Sequence, residues 1–392
     1  MQYAYTMHTM HNDVPPPLSQ MFYDSPHIIR HDEARPTERH FIDLASNNYL
    51  GLAKDPRVCA AAQQAIEQWG VGATGSRVVC GTVPPHHECE EALADFLGFP
   101  AALLFSSGYT ANLAAVTSCV QPDDTLICDV RNHASLIDAC RLTKAPRIVC
   151  DCTDPRALTN ALQSAASAVV VCDVVDSTDG SVLDIATIYQ ATHAAGALLI
   201  ADFAHGLGTL GDDGRGNLHT LWARDIAPDD CVITCTLSKA LGSQGGAVLC
   251  SQQLRDHMVT TARSFIFDTA LAPACAAAAT EALRILSAEP DRVQALHQQM
   301  NMFAHVLDLP ATRTGVMAIP LGDPVSALEA QRCLSAMGVE VGCFRPPSVP
   351  WQRSGLRIGG CAGLFPSQAQ RAYQYRKKCI RPVELVDSAK LR

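Results

Sequence analysis

The sequence predicts an α/β protein with a large domain built on a mostly parallel sheet and a smaller α+β domain after it. Apolar, strand-like runs alternate with helical segments between residues 41 and 288, as crossover helices between parallel strands require. From about Pro290 the pattern changes to a shorter set of helices and strands. We therefore expect an irregular N-terminal arm at 1–40, a large domain at 41–288 and a C-terminal domain at 289–392.

Composition excludes several classes of function. The chain has 392 residues, of which 48% are hydrophobic and 18% charged, as in folded globular proteins. A net charge of −9 argues against nucleic-acid binding, which needs a clustered basic face. Neither an apolar run near the ~18 residues of a membrane helix nor a signal-peptide pattern is recognised. The sequence thus predicts a cytoplasmic protein without a membrane segment.

Cysteine is frequent but scattered. The 17 cysteines lie mostly in apolar strands and helices, and none form a Cys-x-x-Cys pair. Disulfide frameworks belong to short secreted chains, and zinc and iron–sulfur sites need tighter spacing. We expect reduced thiols that pack as small hydrophobic residues, and no metal site.

The first predicted elements are a strand, a polar loop and a helix. A strand is predicted at Phe41–Ala45, and Asn47 follows in a polar loop. Apolar residues at helical spacing predict a helix over 56–70. An Asn in a loop is usually a turn former, so the sequence pattern alone assigns Asn47 no further role.

A second loop follows the strand Ala101–Phe105. An amphipathic helix over 86–98 precedes this strand, and Gly108 and Tyr109 follow it at the start of another helix. A helix N-terminus presents free N–H groups and a positive dipole end to an anion. Gly108 and Tyr109 are therefore candidates for binding a phosphate; the alternative is an ordinary helix start capped by Ser.

Two further strands end in polar residues. The run Thr125–Asp129 is followed by His133, whose flat imidazole suits stacking on an aromatic ring. The run Ala168–Asp173 leads into a turn that contains Ser177. A His near a helix start is usually a cap or a core residue, and that alternative remains open.

The strand-like run Ala197–Asp202 ends abruptly in an acid, and His205 lies three residues further on. Open α/β sheets present ligand-binding groups at their carboxyl edge. An aspartate there suits pairing with the protonated ring nitrogen of pyridoxal phosphate, which makes that ring an electron sink. The alternative is an Asp that caps the next helix and a His packed in the loop.

Lys239 follows the strand-like run Asp230–Thr234 and lies in a stretch that closes in Gly242, Gly245 and Gly246. Lysine is seldom buried without a partner, yet small and apolar residues surround this one. A Schiff base with a carbonyl cofactor explains that setting, because no charge is then buried. A surface lysine at a strand end is the alternative.

Six motifs occur in the order found in the α-oxoamine synthases, which this chain resembles from about Phe41 to about Arg357. They are Ser46-Asn-Asn-Tyr-Leu-Gly-Leu, Gly75-Ser-Arg, Ser107-Gly-Tyr-x-Ala-Asn112, Asn132-His-Ala-Ser-Leu136, Asp202-x-Ala-His-Gly-x-Gly and Thr236-Leu-Ser-Lys-Ala-x-Gly. The resemblance implies a fold-type I pyridoxal-phosphate transferase, and a homodimer.

The resemblance also implies a role for each candidate residue. Lys239 carries pyridoxal 5′-phosphate and acts as general base; Asp202, His205, His133 and Ser177 contact the cofactor ring. Gly108, Tyr109, Thr236 and Thr269 bind its phosphate, and Asn47 and Arg357 bind the substrate carboxylate. The chain departs from the family at Asp173, where Glu is usual, and at Asp176, where an aromatic residue is usual.

The reaction implied is an acyl transfer. L-alanine condenses with pimeloyl-CoA or pimeloyl-acyl-carrier protein, with loss of CO2, in biotin synthesis. Three alternatives remain open: another α-oxoamine synthase with a different amino acid or acyl donor, an aminotransferase or lyase of related fold, and a catalytically silent homologue that acts as a partner subunit.

Overall fold

The structure of the chain is a computed structural model that describes residues 42–216 and 229–362. The arm expected at 1–40 lies outside the described residues. Within the two described ranges, no helix combines the length and the apolar character needed to cross a lipid bilayer.

A seven-stranded sheet forms the centre of the larger compact unit. Its strands, in chain order, are β2 (Ala101–Phe105), β3 (Thr125–Asp129), β4 (Arg147–Cys150), β5 (Ala168–Asp173), β6 (Leu198–Asp202), β7 (Cys231–Thr236) and β8 (Gly246–Cys250). Their spatial order is β2-β8-β7-β6-β5-β3-β4. All neighbours are parallel except that β8 runs antiparallel to β2 and β7. The prediction of a mostly parallel α/β sheet is confirmed.

Helices precede, separate and follow these strands in the chain. They are α1 (Pro56–Trp69), α2 (Pro84–Leu97), α3 (Gly108–Cys119), α4 (Ala134–Thr143), α5 (Pro155–Gln163), α6 (Ile185–Ala194), α7 (Gln252–Thr261), α8 (Arg263–Ile266), α9 (Pro273–Ala288), α10 (Asp291–Leu307) and α11 (Pro324–Ala336). Of these, α2, α3 and α7 pack directly on strands of the large sheet, whereas α11 packs on the strand Val339–Phe344 of a second, smaller compact unit. Local chemistry sets the helix ends. Asp55 accepts the Arg57 N–H ahead of Pro56, and Gly98 ends α2 with φ 73°.

The core lies where apolar faces of these helices meet the central strands. Val116 of α3, Leu126 of β3 and Val171 of β5 are fully buried there, as are Ile200 of β6 and Val232 of β7. Parallel strands covered on both faces read as continuous apolar runs rather than alternating ones. That burial explains why β5 and β7 consist almost wholly of apolar and β-branched residues.

A four-stranded sheet has the order β1-β10-β11-β9, with β1 (Ile42–Leu44), β9 (Val316–Pro320), β10 (Val339–Phe344) and β11 (Gly355–Gly359). β1 pairs parallel with β10, and β10 pairs antiparallel with β11. Of the described residues, the smaller compact unit contains 42–45 and 319–357, and the larger one contains those of 46–318 and 358–362. These bounds differ from the expected domains, whose limits stay a prediction, because β1 joins a strand almost 300 residues away.

Candidate active site

The carboxyl ends of three neighbouring parallel strands bring the predicted acid and the predicted lysine loop to one edge of the large sheet. Asp173 at the end of β5 is opposite Asp202 at the end of β6, and Asp202 is opposite Thr234 of β7. The Lys239 loop begins directly after β7. Ligands of open α/β sheets bind at this edge.

The Asp202 carboxylate is buried and held at both oxygens. Its Oδ2 accepts a hydrogen bond of 2.7 Å from the Asn112 side-chain amide, and its Oδ1 accepts one of 2.8 Å from the Ala204 N–H. The residue is only 5% exposed. Two donors on separate oxygens fix the plane of the carboxylate, so it can face a ring nitrogen in one orientation.

Backbone hydrogen bonds close the Lys239 loop. The Leu237 N–H donates to the Gly245 carbonyl, and the Gly242 N–H donates to that of Lys239. Gly242 and Gly245 have φ values of 64° and 124°, which a side chain would strain. The Lys239 side chain is half-buried.

The charge of Lys239 acts on two residues of the same edge. Burial lowers the pKa of His133 and nearby Lys239 lowers it further, against the effect of Asp202. Burial and the Asp202 charge raise the pKa of Asp173 well above its usual range, while the His133 N–H and Lys239 oppose the rise. The Lys239 amine and the Asp202 carboxylate therefore both lie within electrostatic reach of His133 and Asp173.

His133 caps α4 and is held on two sides. Its Nδ1 lies 2.7 Å from the Ser135 hydroxyl and 3.3 Å from the Ser135 backbone nitrogen. Its own backbone N–H donates to Asp173 Oδ2 at 2.5 Å. His133 is only partly enclosed by the protein, since more than a third of the residue is exposed, and this leaves room for contact with a flat ligand.

His205 lies in a second hydrogen-bond network. Its Nδ1 is 2.7 Å from the Tyr49 hydroxyl, which is also 3.1 Å from Asn47 Oδ1. Tyr49 is fully buried and His205 is 8% exposed. Two residues predicted separately, Asn47 and His205, are thus joined through a tyrosine that sequence reasoning did not select.

The N-terminus of α3 lies against the end of β7. A Cβ placed on Gly108 would be 3.2 Å from Thr236 Cβ and 3.4 Å from Thr236 Oγ1, so a side chain here would have to displace the helix start or Thr236 by a few tenths of an ångström. Thr236 Oγ1 lies 2.7 Å from the Ser238 hydroxyl. Helix N–H groups and hydroxyls are thereby gathered as an anion requires. The Tyr109 hydroxyl donates to Asp138 at 2.7 Å, and this bond raises the pKa of Tyr109.

Three predicted residues lie on other segments. Ser177 is in a turn that Asp176 supports by accepting the Thr178 N–H. Thr269 is exposed and forms an isolated antiparallel bridge with Ser76. Arg357 belongs to the smaller unit, where it is 6% exposed and its guanidinium lies 5.5 Å from the centre of the Phe344 ring.

Sequence reasoning missed Asn112, Ser135 and Tyr49 as parts of the site. Each lies inside a quoted motif, and a polar residue within a buried helix face was the available signal for Asn112. Their roles depend on partners 23 to 156 residues away, which a local pattern does not reveal.

The arrangement of these side chains and of the α3 N-terminus fits pyridoxal phosphate. A carboxylate with both oxygens fixed can accept the hydrogen bond of a ring N–H, and the half-buried Lys239 amine acts electrostatically on the same two neighbours, His133 and Asp173. The close approach of the α3 N-terminus to Thr236 at Gly108 provides a cradle for a phosphate.

Comparison with known proteins identifies relatives of the whole fold. The family model described as aminotransferase class I and II matches residues 39–375. The 8-amino-7-oxononanoate synthase of Mycolicibacterium gilvum (strain PYR-GCK) is 47% identical over 337 residues, which are 84% of this chain and 87% of that protein.

Solved structures agree. A serine palmitoyltransferase structure with pyridoxal phosphate has a TM-score of 0.81 and 27% identity, and the match covers 86% of this chain and 88% of that one. The 8-amino-7-oxononanoate synthase of Francisella tularensis has a TM-score of 0.74 and 25% identity, with 87% and 98% covered. The predicted fold-type I architecture is confirmed.

Proposed function

We infer the activity from the family: the chain belongs to the aminotransferase class I and II family, and we propose that it is an 8-amino-7-oxononanoate synthase. It is a pyridoxal-phosphate enzyme that joins L-alanine to a pimeloyl thioester, of CoA or of acyl-carrier protein, and releases CO2 and the free thiol. The 47% identity to a curated synthase over 84% of the chain carries this proposal.

When bound, pyridoxal phosphate supplies an aldehyde that links to an amine and a pyridinium ring that withdraws electrons from the amino acid. Lys239 Nζ would hold that aldehyde before the substrate binds. With L-alanine bound, Nζ would accept the proton from the alanine Cα as general base. After the new carbon–carbon bond forms and the carboxyl group leaves as CO2, Nζ returns a proton to the same carbon.

The remaining side chains orient the reactants. Asp202 Oδ atoms accept the ring N–H and keep that proton in place, and the imidazole of His133 stacks on the ring. His205 and Ser177 bind the ring hydroxyl. Gly108, Tyr109, Thr236 and Thr269 bind the phosphate. Asn47 and Arg357 bind the alanine carboxylate, for which the planar guanidinium of Arg357 provides two parallel donors.

The same inference predicts the oligomeric state and the cellular compartment of the enzyme. We propose a homodimer in the cytoplasm. Free thiols such as those of buried Cys172 and Cys231 support that compartment, whereas Cys333 is disulfide-bonded. Reduced thiols are the rule in that compartment.

A product assay tests the proposal. Purified protein with pyridoxal phosphate, L-alanine and pimeloyl-CoA should release CO2 and thiol in equal amounts and form the amino ketone detected by mass spectrometry. A parallel reaction uses pimeloyl-acyl-carrier protein. Formation of pyruvate without thioester consumption would instead indicate an aminotransferase, and no reaction with either thioester would refute the synthase.

The serine palmitoyltransferase likeness supports one rival, a synthase that uses another amino acid. L-serine and glycine with a panel of acyl thioesters separate the two. A kcat/KM for L-serine that exceeds the value for L-alanine would favour the rival.

A further inference from the structure

Asn112 connects two parts of the candidate site that the proposed mechanism treats separately. It lies in α3, is 2% exposed, and makes three hydrogen bonds. Its Nδ2 donates to Asp202 Oδ2 at 2.7 Å and to the Ser135 hydroxyl at 2.8 Å. Its Oδ1 accepts from the Thr234 hydroxyl at 2.5 Å. Both amide protons and the amide oxygen are therefore used.

Only one orientation of this amide satisfies all its neighbours. A rotation of 180° would bring Oδ1 against the Asp202 carboxylate, and two acceptors would face each other in a buried place. The same rotation would leave Nδ2 towards Thr234 and remove the donor to Ser135. The Asp202 partner thus fixes which end of the amide is the donor.

The amide also determines how Ser135 meets His133. Because the Ser135 oxygen accepts from Asn112, its own proton is available to His133 Nδ1 at 2.7 Å. The Ser135 backbone N–H is directed at the same Nδ1. Two donors at Nδ1 make it an acceptor, so the neutral imidazole carries its proton on Nε2.

We propose that Asn112 is a positioning residue that fixes the Asp202 carboxylate and, through Ser135, the His133 imidazole in the relative orientation that a pyridine ring between them needs. This inference rests on the proposed function in one respect only, namely that the cofactor is pyridoxal phosphate. Asn112 touches neither substrate nor cofactor; it acts through the two groups that do.

Cofactor binding, measured without substrates, tests the inference. Apoprotein is titrated with pyridoxal phosphate by equilibrium dialysis, and the visible circular dichroism of the bound cofactor reports how rigidly the ring is held. We expect Asn112→Leu to raise the dissociation constant about 10- to 100-fold, as loss of a hydrogen bond to a charged group does, and to reduce the dichroic signal. An unchanged dissociation constant with an unchanged signal overturns the proposal.

Two further variants guard against a general folding defect. Asn112→Asp keeps the volume but turns an oxygen towards Asp202, so it should weaken binding at least as much; wild-type affinity here also overturns the proposal. Gln299→Leu removes another buried amide, which accepts the Cys361 N–H at 2.8 Å in another part of the larger unit. It should lower the melting temperature but leave the dissociation constant within about threefold.

The two proposals fail in different ways. A wild-type protein that binds pyridoxal phosphate but makes no amino ketone would refute the proposed reaction and leave the dialysis result intact. An active wild type whose Asn112→Leu variant binds the cofactor normally would refute only the role of Asn112.

Discussion

The Tyr49 hydroxyl lies 2.7 Å from His205 Nδ1, across 156 residues of sequence, and 3.1 Å from Asn47 Oδ1. The two rings are tilted by 52° with centroids 6.1 Å apart, so the contact is a hydrogen bond rather than a stack. Tyr49 thus joins the residue proposed for the cofactor hydroxyl to the one proposed for the substrate carboxylate.

Tyr49→Phe should therefore affect both stability and substrate binding. Buried His205 and partly buried Asn47 each lose a hydrogen bond, and we expect a loss of about 1–3 kcal/mol in the free energy of unfolding. The KM for L-alanine should rise several-fold because Asn47 is no longer held. Urea unfolding and steady-state kinetics measure the two effects. Tyr189→Phe is the control, since that hydroxyl bonds Asp230 at the opposite end of β7. An unchanged KM in Tyr49→Phe would contradict the role.

The sequence was sufficient to predict that Asp202 and the Lys239 loop meet at one edge of the sheet, where the candidate site is proposed. Apolar runs that stop at Asp202 and just before Lys239 are local signals, and strand direction then brings their ends together. Helix boundaries were also predictable within a few residues, because Pro56 and Gly98 are local signals of helix start and end.

Partners distant in sequence could not be predicted in this way. β1 pairs with β10 across about 300 residues, and no pattern in either strand names the other. Asn112 was recognised as a motif residue, but its bond to Asp202 spans 90 residues and depends on how α3 packs on β6. In the sequence, nothing distinguishes Tyr49 from an ordinary buried aromatic residue. Only the folded structure shows which groups its hydroxyl contacts.

Lys239→Ala should abolish the covalent cofactor link and reduce turnover by about 10²- to 10⁴-fold, the usual contribution of a general base. Borohydride reduction followed by peptide mass spectrometry should find the cofactor on the Lys239 peptide of the wild type only. Lys54→Ala replaces an exposed lysine in the short 3-10 helix Leu52–Lys54 before α1; it is the matched control and should behave as wild type. Wild-type turnover in Lys239→Ala would rule out the assigned role.

Gly108→Ala should weaken cofactor binding without unfolding the protein. The added methyl meets Thr236 at 3.2 Å, so the start of α3 must shift by a few tenths of an ångström away from the phosphate position. We expect a roughly fivefold higher dissociation constant, the effect of about 1 kcal/mol. Ser118→Ala lies near the other end of α3, and its hydroxyl has no hydrogen-bond partner among the described residues. That variant should bind the cofactor normally, and equal affinity in both variants would contradict the cradle.

A buried ion pair between Arg77 and Glu90 connects the segment between α1 and α2 to α2 itself. Arg77 Nη1 is 2.9 Å from Glu90 Oε1, both side chains are about 5% exposed, and the same oxygen accepts the Leu104 N–H. Glu90→Leu leaves the guanidinium buried without its counter-charge, so we expect a loss of about 3–5 kcal/mol in unfolding free energy.

The double variant Arg77→Met/Glu90→Leu separates charge from packing. It should recover part of the lost unfolding free energy, because no isolated charge remains buried. The recovery is incomplete because the Leu104 N–H still lacks its acceptor. Arg284→Met breaks an exposed pair with Glu281 and should change the unfolding curve little. A double variant less stable than Glu90→Leu would show that the charge pair is not the cause.

The raised pKa of Asp173 predicts how the stability of the folded protein changes with pH. Burial and the adjacent Asp202 raise its pKa in the folded protein well above that of an unfolded aspartate, while Lys239 and the His133 N–H only partly oppose the rise. Between the unfolded and the folded pKa the folded state binds more protons, so this residue's contribution to stability is present at low pH and is lost as pH rises through the folded pKa.

Asp173→Asn carries no charge and avoids that loss. The apoprotein variant should therefore gain unfolding free energy relative to wild type as pH rises from 5 to 8, measured by urea unfolding. Asp184→Asn is the control, because the Thr187 hydroxyl lowers the pKa of Asp184 and its titration falls below this range. A difference for Asp173→Asn that stays constant or shrinks from pH 5 to 8 would show that Asp173 is ionised throughout.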